Sequence, residues 1–220
     1  EMRTPLNAIV GWLDILRKKD FEREHLREGL DVIERNTKAQ VQLIDDVLDV
    51  SRIISGKLRV DIYPCELTDV INAGVNVMRP AAEARDITLS VQFDPSASAT
   101  ACDAARMQQV VWNLVSNAVK FTPKGGHVGV TLSRDQSSIQ IQVRDDGQGI
   151  SADLLPHVFD RFRQADSSTR RRFAGLGLGL SIVKYIVEAH GGRIWLQSHE
   201  AGATEFRFSL PLRQPDPTFQ

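Results

Sequence analysis

The sequence predicts an α+β fold: a helical hairpin followed by an α/β sandwich with a mixed, mostly antiparallel sheet. Three observations carry this. The first 55 residues are apolar at steps of three and four, the spacing of one helix face. From residue 58 onward, helical periods mix with runs that alternate apolar and polar residues, the period of half-buried strands. Finally, the 220 residues are 42% hydrophobic with 15 glycines, enough for one or two domains with an ordinary core.

Met2, Leu6, Ile9, Leu13 and Leu16 mark the first helix, with Pro5 near its start, where a proline can bend it. The polar run Arg17-Lys18-Lys19-Asp20 ends it. Leu26, Leu30, Ile33, Thr37, Ile44 and Val47, flanked by Val41 and Leu48, form the seam of the second. The short link makes the pair an antiparallel hairpin. Two helices hide one apolar stripe poorly. The hairpin is therefore expected as half of a four-helix bundle completed by a second copy, rather than as an arm lying on a domain. Ser55-Gly56-Lys57 closes the second helix.

Leu58–Tyr63 is expected as a strand, Leu67–Ala84 as a helix with Val70, Ile71, Val75 and Met78 inward, and Ile87–Phe93 as a strand. Pro95–Ala99 is a small-residue loop. Asp103 can cap a long helix reaching Phe121, its carboxylate accepting from free amides at the helix start. Val128, Val130 and Leu132, and then Ile139, Ile141 and Val143, alternate as strands. Ser151–Phe159 is expected as a short helix. Asp160–Phe173 is polar and basic without period. Leu178–His190 is helical, and Arg193–His199 and Thr204–Leu212 form a final hairpin. Residues 213–220, with two prolines, form a frayed tail. The expected domains are thus 1–55 and 58–212, followed by the tail.

Composition excludes several classes. Lys+Arg 27 against Asp+Glu 28 leaves a net charge of −1, so a protein held on nucleic acid by global charge is disfavoured. Cys65 and Cys102 stand far apart with no CxxC, which argues against a disulfide framework or a cysteine-rich zinc site and favours an intracellular setting. No stretch approaches the ~20 apolar residues of a spanning helix. The start at Glu1, with no signal peptide, reads as a fragment boundary.

Three constellations carry chemistry. Asn113, Asn117 and Lys120 lie at steps of four and three, on one helix face, opposite the apolar Val110, Val111, Leu114, Ala118 and Val119. Two amide oxygens and an ammonium in a row suit a hydrated magnesium ion and a phosphate chain, although a solvated face of an amphipathic helix looks the same in isolation. Asp145-Asp146-Gly147-Gln148-Gly149-Ile150 follows a strand directly. A carboxylate there can accept a hydrogen bond from an exocyclic amine while glycine turns the backbone sharply against a flat ligand. An Asp-capped glycine turn is the plainer alternative. Gly175-Leu176-Gly177-Leu178-Gly179-Leu180-Ser181 opens a helix, where exposed amides and the helix dipole favour an anion. The spacing is not that of a dinucleotide fingerprint, and no P-loop motif occurs. Just upstream, Arg170-Arg171-Arg172 is either a solvated loop or a cationic cover over phosphates.

Each signal is modest alone, but their order and spacing together are specific. The chain resembles the histidine protein kinases of two-component signalling over nearly its whole length. Glu1-Met2-Arg3-Thr4-Pro5-Leu6 looks like the segment that directly follows the phosphoacceptor histidine. Asn113–Pro123 resembles that family's asparagine box, Asp145-x-Gly147-x-Gly149-Ile150 its adenine-binding box, Phe159-Asp160-Arg161-Phe162 its phenylalanine box, and Gly175–Val183 its glycine box beneath an ATP lid. The resemblance implies a dimerisation and phosphotransfer hairpin, then an ATP-binding domain. It implies that Asp145 contacts the adenine amine and that Phe121 lines the base pocket beside Gly147, Gly149 and Ile150. Asn117 would bind Mg2+, aided by Asn113, and Lys120 would meet phosphate. The amides from Gly175 through Leu176, Gly177 and Leu178 to Gly179 would follow the phosphate chain, with Arg171 in the cover. Glu1 would be the acid–base partner of the adjacent histidine, and Thr4 would orient water for dephosphorylating a partner.

The resemblance further implies ATP and Mg2+ as cofactors, a homodimer, a response-regulator receiver domain as partner and a cytoplasmic location, with no nucleic acid and no membrane contact by this segment. A membrane anchor could lie elsewhere in a parent protein. The phosphoacceptor would stand immediately before Glu1. None of His25, His127, His157, His190 and His199 occupies that place. An ATP-binding dimeric scaffold or regulator phosphatase without autokinase activity is the competing reading. The related ATPases of topoisomerases, mismatch repair and heat-shock chaperones are disfavoured by the hairpin.

Overall fold

The computed structural model describes residues 3–17, 23–163, 176–198 and 202–212. Two helices, α1 (Arg3–Leu16) and α2 (Arg23–Ile54), form the hairpin. They approach closely where Gly29 of α2 meets Trp12 and Leu16 of α1. A Cβ there would stand 2.8 Å from Trp12 Cε3 and 3.2 Å from Leu16, so a larger residue would force those side chains to move. Leu6, Val10 and Leu13 of α1, and Leu30, Val41, Ile44, Val47 and Leu48 of α2, remain exposed. The hairpin does not hide its own stripe.

The α/β unit comprises β1 (Tyr63–Glu66), α3 (Leu67–Asn76), α4 (Arg79–Glu83), β2 (Thr88–Phe93), β3 (Ala99–Cys102), α5 (Ala104–Phe121), β4 (His127–Arg134), β5 (Ser138–Asp145), α6 (Gly179–Ala189), β6 (Arg193–Ser198) and β7 (Thr204–Pro211). The main sheet runs β2-β4-β5-β7-β6. Its β2–β4 pair is parallel and the rest are antiparallel, so the sheet is mixed and mostly antiparallel, as expected. Val128, Val130 and Leu132, with Ile139, Ile141 and Val143, turn inward against Leu114, Val115, Ile182 and Ile186 of α5 and α6. Asp103 caps α5 as anticipated, its Oδ1 accepting from the Arg106 amide at 3.1 Å.

Four elements differ from expectation. Leu58 is buried and Val60 and Ile62 are half-buried, but pairing begins only at Tyr63, against β3. The helix expected over Leu67–Ala84 breaks at Val77 and Met78. Pro80 has no amide to donate, and its ring clashes with the carbonyl four residues earlier, so α3 ends at Asn76 and a short α4 begins. Pro95–Ala97 is a 3-10 turn leading into β3, whose four small residues gave no strand signal. The helix expected over Ser151–Phe159 is only a 3-10 turn at Leu155–His157.

The cysteines require a correction. Antiparallel pairing of β1 with β3 sets Tyr63 opposite Cys102 and Cys65 opposite Thr100. This brings Cys65 and Cys102 into diagonal contact, with Cα atoms 6.3 Å apart, and they form a disulfide. A separation of 37 residues along the chain is closed by tertiary pairing, so sequence distance was no argument against a bond. The intracellular setting inferred from the cysteines loses its basis.

The end of α2 is built into the α/β unit. Val50, Ile53 and Leu58 join its core. The buried carboxylate of Asp49 accepts from Arg106 at 2.7 Å and from Gln109 at 2.9 Å, both on α5, and Tyr185 donates to the Leu58 carbonyl at 3.2 Å.

Behind this joint lies His190, fully buried. Its Nε2 accepts from the Asp103 amide at 3.0 Å, so the proton sits on Nδ1, which donates to the Ile186 carbonyl at 2.7 Å. Burial lowers its pKa below the ordinary 6.5, outweighing the Ile186 bond and the Asp103 charge, which raise it. Between the two values the unfolded chain binds more protons than the folded one, so this residue's contribution to stability is lost as pH falls below 6.5. Melting curves of the parent and of His190→Gln from pH 7.5 to 5 should show a steeper acid loss in the parent. Parallel curves would contradict a neutral buried imidazole.

Candidate functional site

Helix α5 is the spine of the site. One side lies in the core through Val110, Val111, Leu114, Ala118 and Val119. The other carries Asn113, Asn117 and Lys120 in a row, as their spacing demands. Asn113 is only 7% exposed, and its Nδ2 is buried without a hydrogen-bond partner. An orphaned donor of this kind costs about 1–3 kcal/mol unless a ligand satisfies it. Asn113 Oδ1 lies against Gly179, where a Cβ would stand 3.0 Å away, so a larger residue there would press on the amide. Asn117 and Lys120 are half-buried. Lys120 Nζ stands 5.2 Å from the Phe121 ring centroid, within cation–π range.

The last turn of α5 is held by a residue that sequence reasoning missed. The Arg85 guanidinium donates to the carbonyls of Val119, of Lys120 at 3.1 Å and of Thr122 at 2.8 Å. These are carbonyls a helix end leaves unpaired, and a cation there also favours the dipole. Arg85 sits in a connection with no motif around it, so no local signal marked it.

Asp145 ends β5 and is 4% exposed. Burial pushes its carboxyl up to about 6. The Gly147 and Thr204 amides pull the other way, and the neighbouring Asp146 charge adds to the rise. The Gly147 amide donates to Oδ1 at 2.8 Å. A Cβ on Gly147 would collide with that oxygen and lie 3.2 Å from the Phe121 carbonyl oxygen. Glycine at this point lets the end of β5 close on the end of α5. Gly149 has φ +73, the left-handed region glycine enters freely, and the Ile150 amide then donates to Ser198 Oγ at 3.0 Å.

The second glycine segment faces the same helix. Gly177 has φ +67, and a Cβ there would lie 2.6 Å from the Arg163 carbonyl oxygen. Its carbonyl accepts from the Phe162 amide at 3.0 Å. Leu178 is buried and anchors the turn, after which α6 begins at Gly179 with no side-chain cap. An α-helix start without a cap, beside an orphaned amide donor, suits an anion.

The structure thus sets Gly179, two residues after Gly177, against Asn113 at one flank of α5, and brings Phe121, Asp145 and Gly147 together at the other. Asn117 and Lys120 lie on the same face between them. Thr4 is exposed on the first turn of α1, apart from this group. Glu1, Arg171 and Gly175, with residues 164–173 of the basic segment, lie outside the described residues. Among the described residues, no group of three His, Cys, Asp or Glu side chains could hold a metal, and no helix is long and apolar enough to cross a membrane.

A raised-pKa carboxylate beside a glycine turn, facing an uncapped helix start along an amide-bearing helix, is a nucleotide-type arrangement. The family model of the histidine kinase-, DNA gyrase B-, and HSP90-like ATPases matches residues 102–214, which places the chain in that class. Residues 1–56 match the His Kinase A (phospho-acceptor) domain. With both in this order, the chain belongs to the sensor histidine kinases of two-component systems.

Hybrid signal transduction histidine kinase D of Dictyostelium discoideum is 36% identical over 217 residues, covering 96% of this chain and 14% of that protein. Sensor protein GacS of Pseudomonas syringae pv. syringae is also 36% identical, over 96% of this chain and 24% of its own length. Full-length ShkA, solved in complex with AMPPNP, superposes with a TM-score of 0.73 at 26% identity, covering 97% of this chain and 44% of that one. The chain spans about a quarter or less of these two curated relatives.

Proposed function

We propose that this chain is the ATP-dependent protein-histidine kinase core of a two-component system, with residues 1–55 as the dimerisation and phosphotransfer hairpin and 58–212 as the ATP-binding unit. The observation that carries the reading is α5, which joins the buried Asp145 carboxylate at one flank to the uncapped α6 start at the other. That spacing suits one ligand with an exocyclic amine at one end and a phosphate chain at the other.

Asp145 accepts from the adenine amine and rejects guanine, whose carbonyl would face it acceptor to acceptor. Phe121, Gly147, Gly149 and Ile150 shape the base side. The amides of Gly175, Leu176, Gly177, Leu178 and Gly179 meet the phosphates, with Lys120 alongside and Arg171 in the cover. Asn117 and Asn113 offer the amide oxygens that would hold Mg2+, an ion that keeps several waters and takes oxygen ligands. When bound, it would neutralise charge on the phosphate chain.

The γ-phosphoryl group passes in line to a neutral nitrogen of a hairpin histidine, forming an N–P bond as the P–O bond to ADP breaks. Glu1 holds or accepts the proton at the other ring nitrogen. The phosphoryl group then moves to an aspartate of a response-regulator receiver domain, and Thr4 orients water when the partner is dephosphorylated. The activity, the dimer and the cytoplasmic site of action belong to this proposal.

The test is to incubate the parent chain, including the residue before Glu1, with labelled ATP and Mg2+. Acid-labile phosphohistidine is the expected product, and release of free phosphate alone would favour a plain ATPase. Asn117→Ala should leave the melting temperature nearly unchanged, since Asn117 lies on the face of α5 away from the core, and should abolish Mg2+-dependent phosphorylation. A variant that phosphorylates normally removes Asn117 from the metal site.

A further inference from the structure

The joint between the hairpin and the α/β unit holds chemistry that nucleotide binding does not use. An open cleft of about 580 Å³ lies beside it on the α/β unit, lined by Asp61, Tyr63, Cys65, Cys102, Arg106 and Gln109 among others. We infer that Cys65 and Cys102 form a reversible thiol–disulfide site on this cleft, oxidised and reduced by a small-molecule thiol/disulfide couple, and that its oxidation stiffens the joint.

Placement carries the inference. The two Cα atoms are 6.3 Å apart, within the span a disulfide bridges without backbone movement. Cys102 is fully buried, whereas Cys65 is partly exposed on the cleft wall. One sulfur can be reached from solvent and the other waits behind it, the arrangement of an attacking and a resolving thiol. Among the described residues β1 and β3 pair only with each other, over four residues, in a sheet separate from the main one. Without the bond, β1 is held by this short ladder, by Glu66 on Ser98 and by the buried Leu67 that follows it, a weaker hold than a covalent link.

The bond also ties together parts that matter for reach. β1 continues the link that leaves α2 through Leu58. Cys102 immediately precedes Asp103, whose carboxylate caps α5 and accepts from the Asp61 amide at 3.1 Å. Arg106 and Gln109, on the first turns of α5 and on the same cleft, hold Asp49 of α2. A closed disulfide fastens the link to the very helix that grips α2. An open one leaves the polar hold of the joint to hydrogen bonds alone: Asp49 with Arg106 and Gln109, Asp61 with Asp103, and Tyr185 with Leu58.

The chemistry balances with a disulfide as oxidant. The Cys65 thiolate attacks glutathione disulfide, forming a mixed disulfide and releasing one glutathione thiolate. The Cys102 thiolate then attacks the Cys65 sulfur, closing the bond and releasing the second. Two electrons pass from the cysteine pair to the oxidant, and the two thiol protons end on glutathione. Reduction is the reverse.

The consequence for turnover rests on the kinase reading above, in which the γ-phosphoryl group passes to a histidine on the hairpin; because Thr4 of that hairpin stands apart from the candidate ATP site, the transfer needs the ATP-binding unit to swing toward it. A stiffer joint slows that swing but leaves nucleotide affinity alone, because neither sulfur touches the nucleotide residues. The test equilibrates the parent chain over a series of reduced-to-oxidised glutathione ratios. Free thiols are counted by maleimide labelling and mass, ATP-analogue affinity by calorimetry, and phosphohistidine by acid lability. Cys65→Ser and Cys102→Ser serve as controls.

The expected result is loss of both thiols within the series, unchanged affinity, and phosphorylation slowed roughly threefold or more in the native chain only. Thiols that stay free at every ratio, a bond that no ratio opens, or equal rates in both states would each overturn the inference. If neither state makes phosphohistidine, the kinase reading fails, and hydrogen exchange over Leu58–Glu66 decides. Slower exchange on oxidation supports the latch, and equal exchange overturns it.

Discussion

Asp145→Asn should make the nucleotide-free protein more stable while weakening ATP binding about tenfold or more, the cost of one lost charge-assisted hydrogen bond. The two effects share a cause. A carboxyl moved by burial from its ordinary 3.8 to about 6 costs the folded state on the order of 3 kcal/mol at neutral pH. Asparagine has no charge to desolvate, and its side-chain oxygen can still accept from the Gly147 amide. A gain of about 1–3 kcal/mol is expected, at about 2–4 °C of melting temperature per kcal/mol for a chain of this size.

The same carboxyl sets a pH dependence. Between 3.8 and about 6 the folded state holds the proton more tightly than the unfolded chain, so Asp145 lowers stability as pH rises through that window. Only the ionised form accepts well from an adenine amine. ATP affinity should therefore fall as pH drops below about 6 in the parent, and the Asn variant should lack that dependence. Calorimetry at pH 5.5 and 7.5, with melting curves of both proteins, measures all of this. Unchanged affinity of the folded variant at pH 7.5 would remove Asp145 from the site.

The residues of the candidate site were legible because local rules fix where they stand. Asn113, Asn117 and Lys120 share a face by helical spacing alone. Asp103 caps α5 because a carboxylate before an apolar helical run finds free amides. Gly147 and Gly177 stand where a Cβ would collide with a side chain or backbone, a constraint that writes glycine into the sequence. What escaped reading depends on contacts between distant segments. β3 has four small residues and becomes a strand only because β1 lies beside it. The Cys65–Cys102 bond follows from that pairing. Arg85 reaches the end of α5 from a loop more than thirty residues earlier, and Asp49 finds Arg106 across the joint. The break between α3 and α4 was different, since Pro80 signalled it and the apolar period of Val70, Ile71, Val75 and Met78 masked it.

Leu30→Asp combined with Ile44→Asp should convert a dimer into monomers that still bind ATP. Leu30 is 52% exposed and Ile44 43%, and they share their helix with exposed Val41, Val47 and Leu48, opposite Leu6, Val10 and Leu13 of α1. A contiguous apolar face of this length is not left to water in a soluble protein. A second hairpin related by a twofold axis would cover it as a four-helix bundle, with ridges interleaved at a shallow angle. Each large aliphatic chain fully buried there contributes about 1.5–3 kcal/mol. Symmetry counts every substitution twice, so the two changes remove four such contacts and bury four charges in their place. That exceeds the ~8 kcal/mol of a micromolar dimer. Both positions are already open in the single chain, so the hairpin's own packing around Gly29, Trp12 and Leu16 is untouched. The residues proposed to bind nucleotide lie beyond the joint, so affinity for an ATP analogue should match the parent's. Sedimentation at micromolar concentration separates the outcomes. A double variant that still sediments as a dimer would place the interface elsewhere, and a parent that is monomeric at high micromolar concentration would leave the hairpin as an arm within one chain.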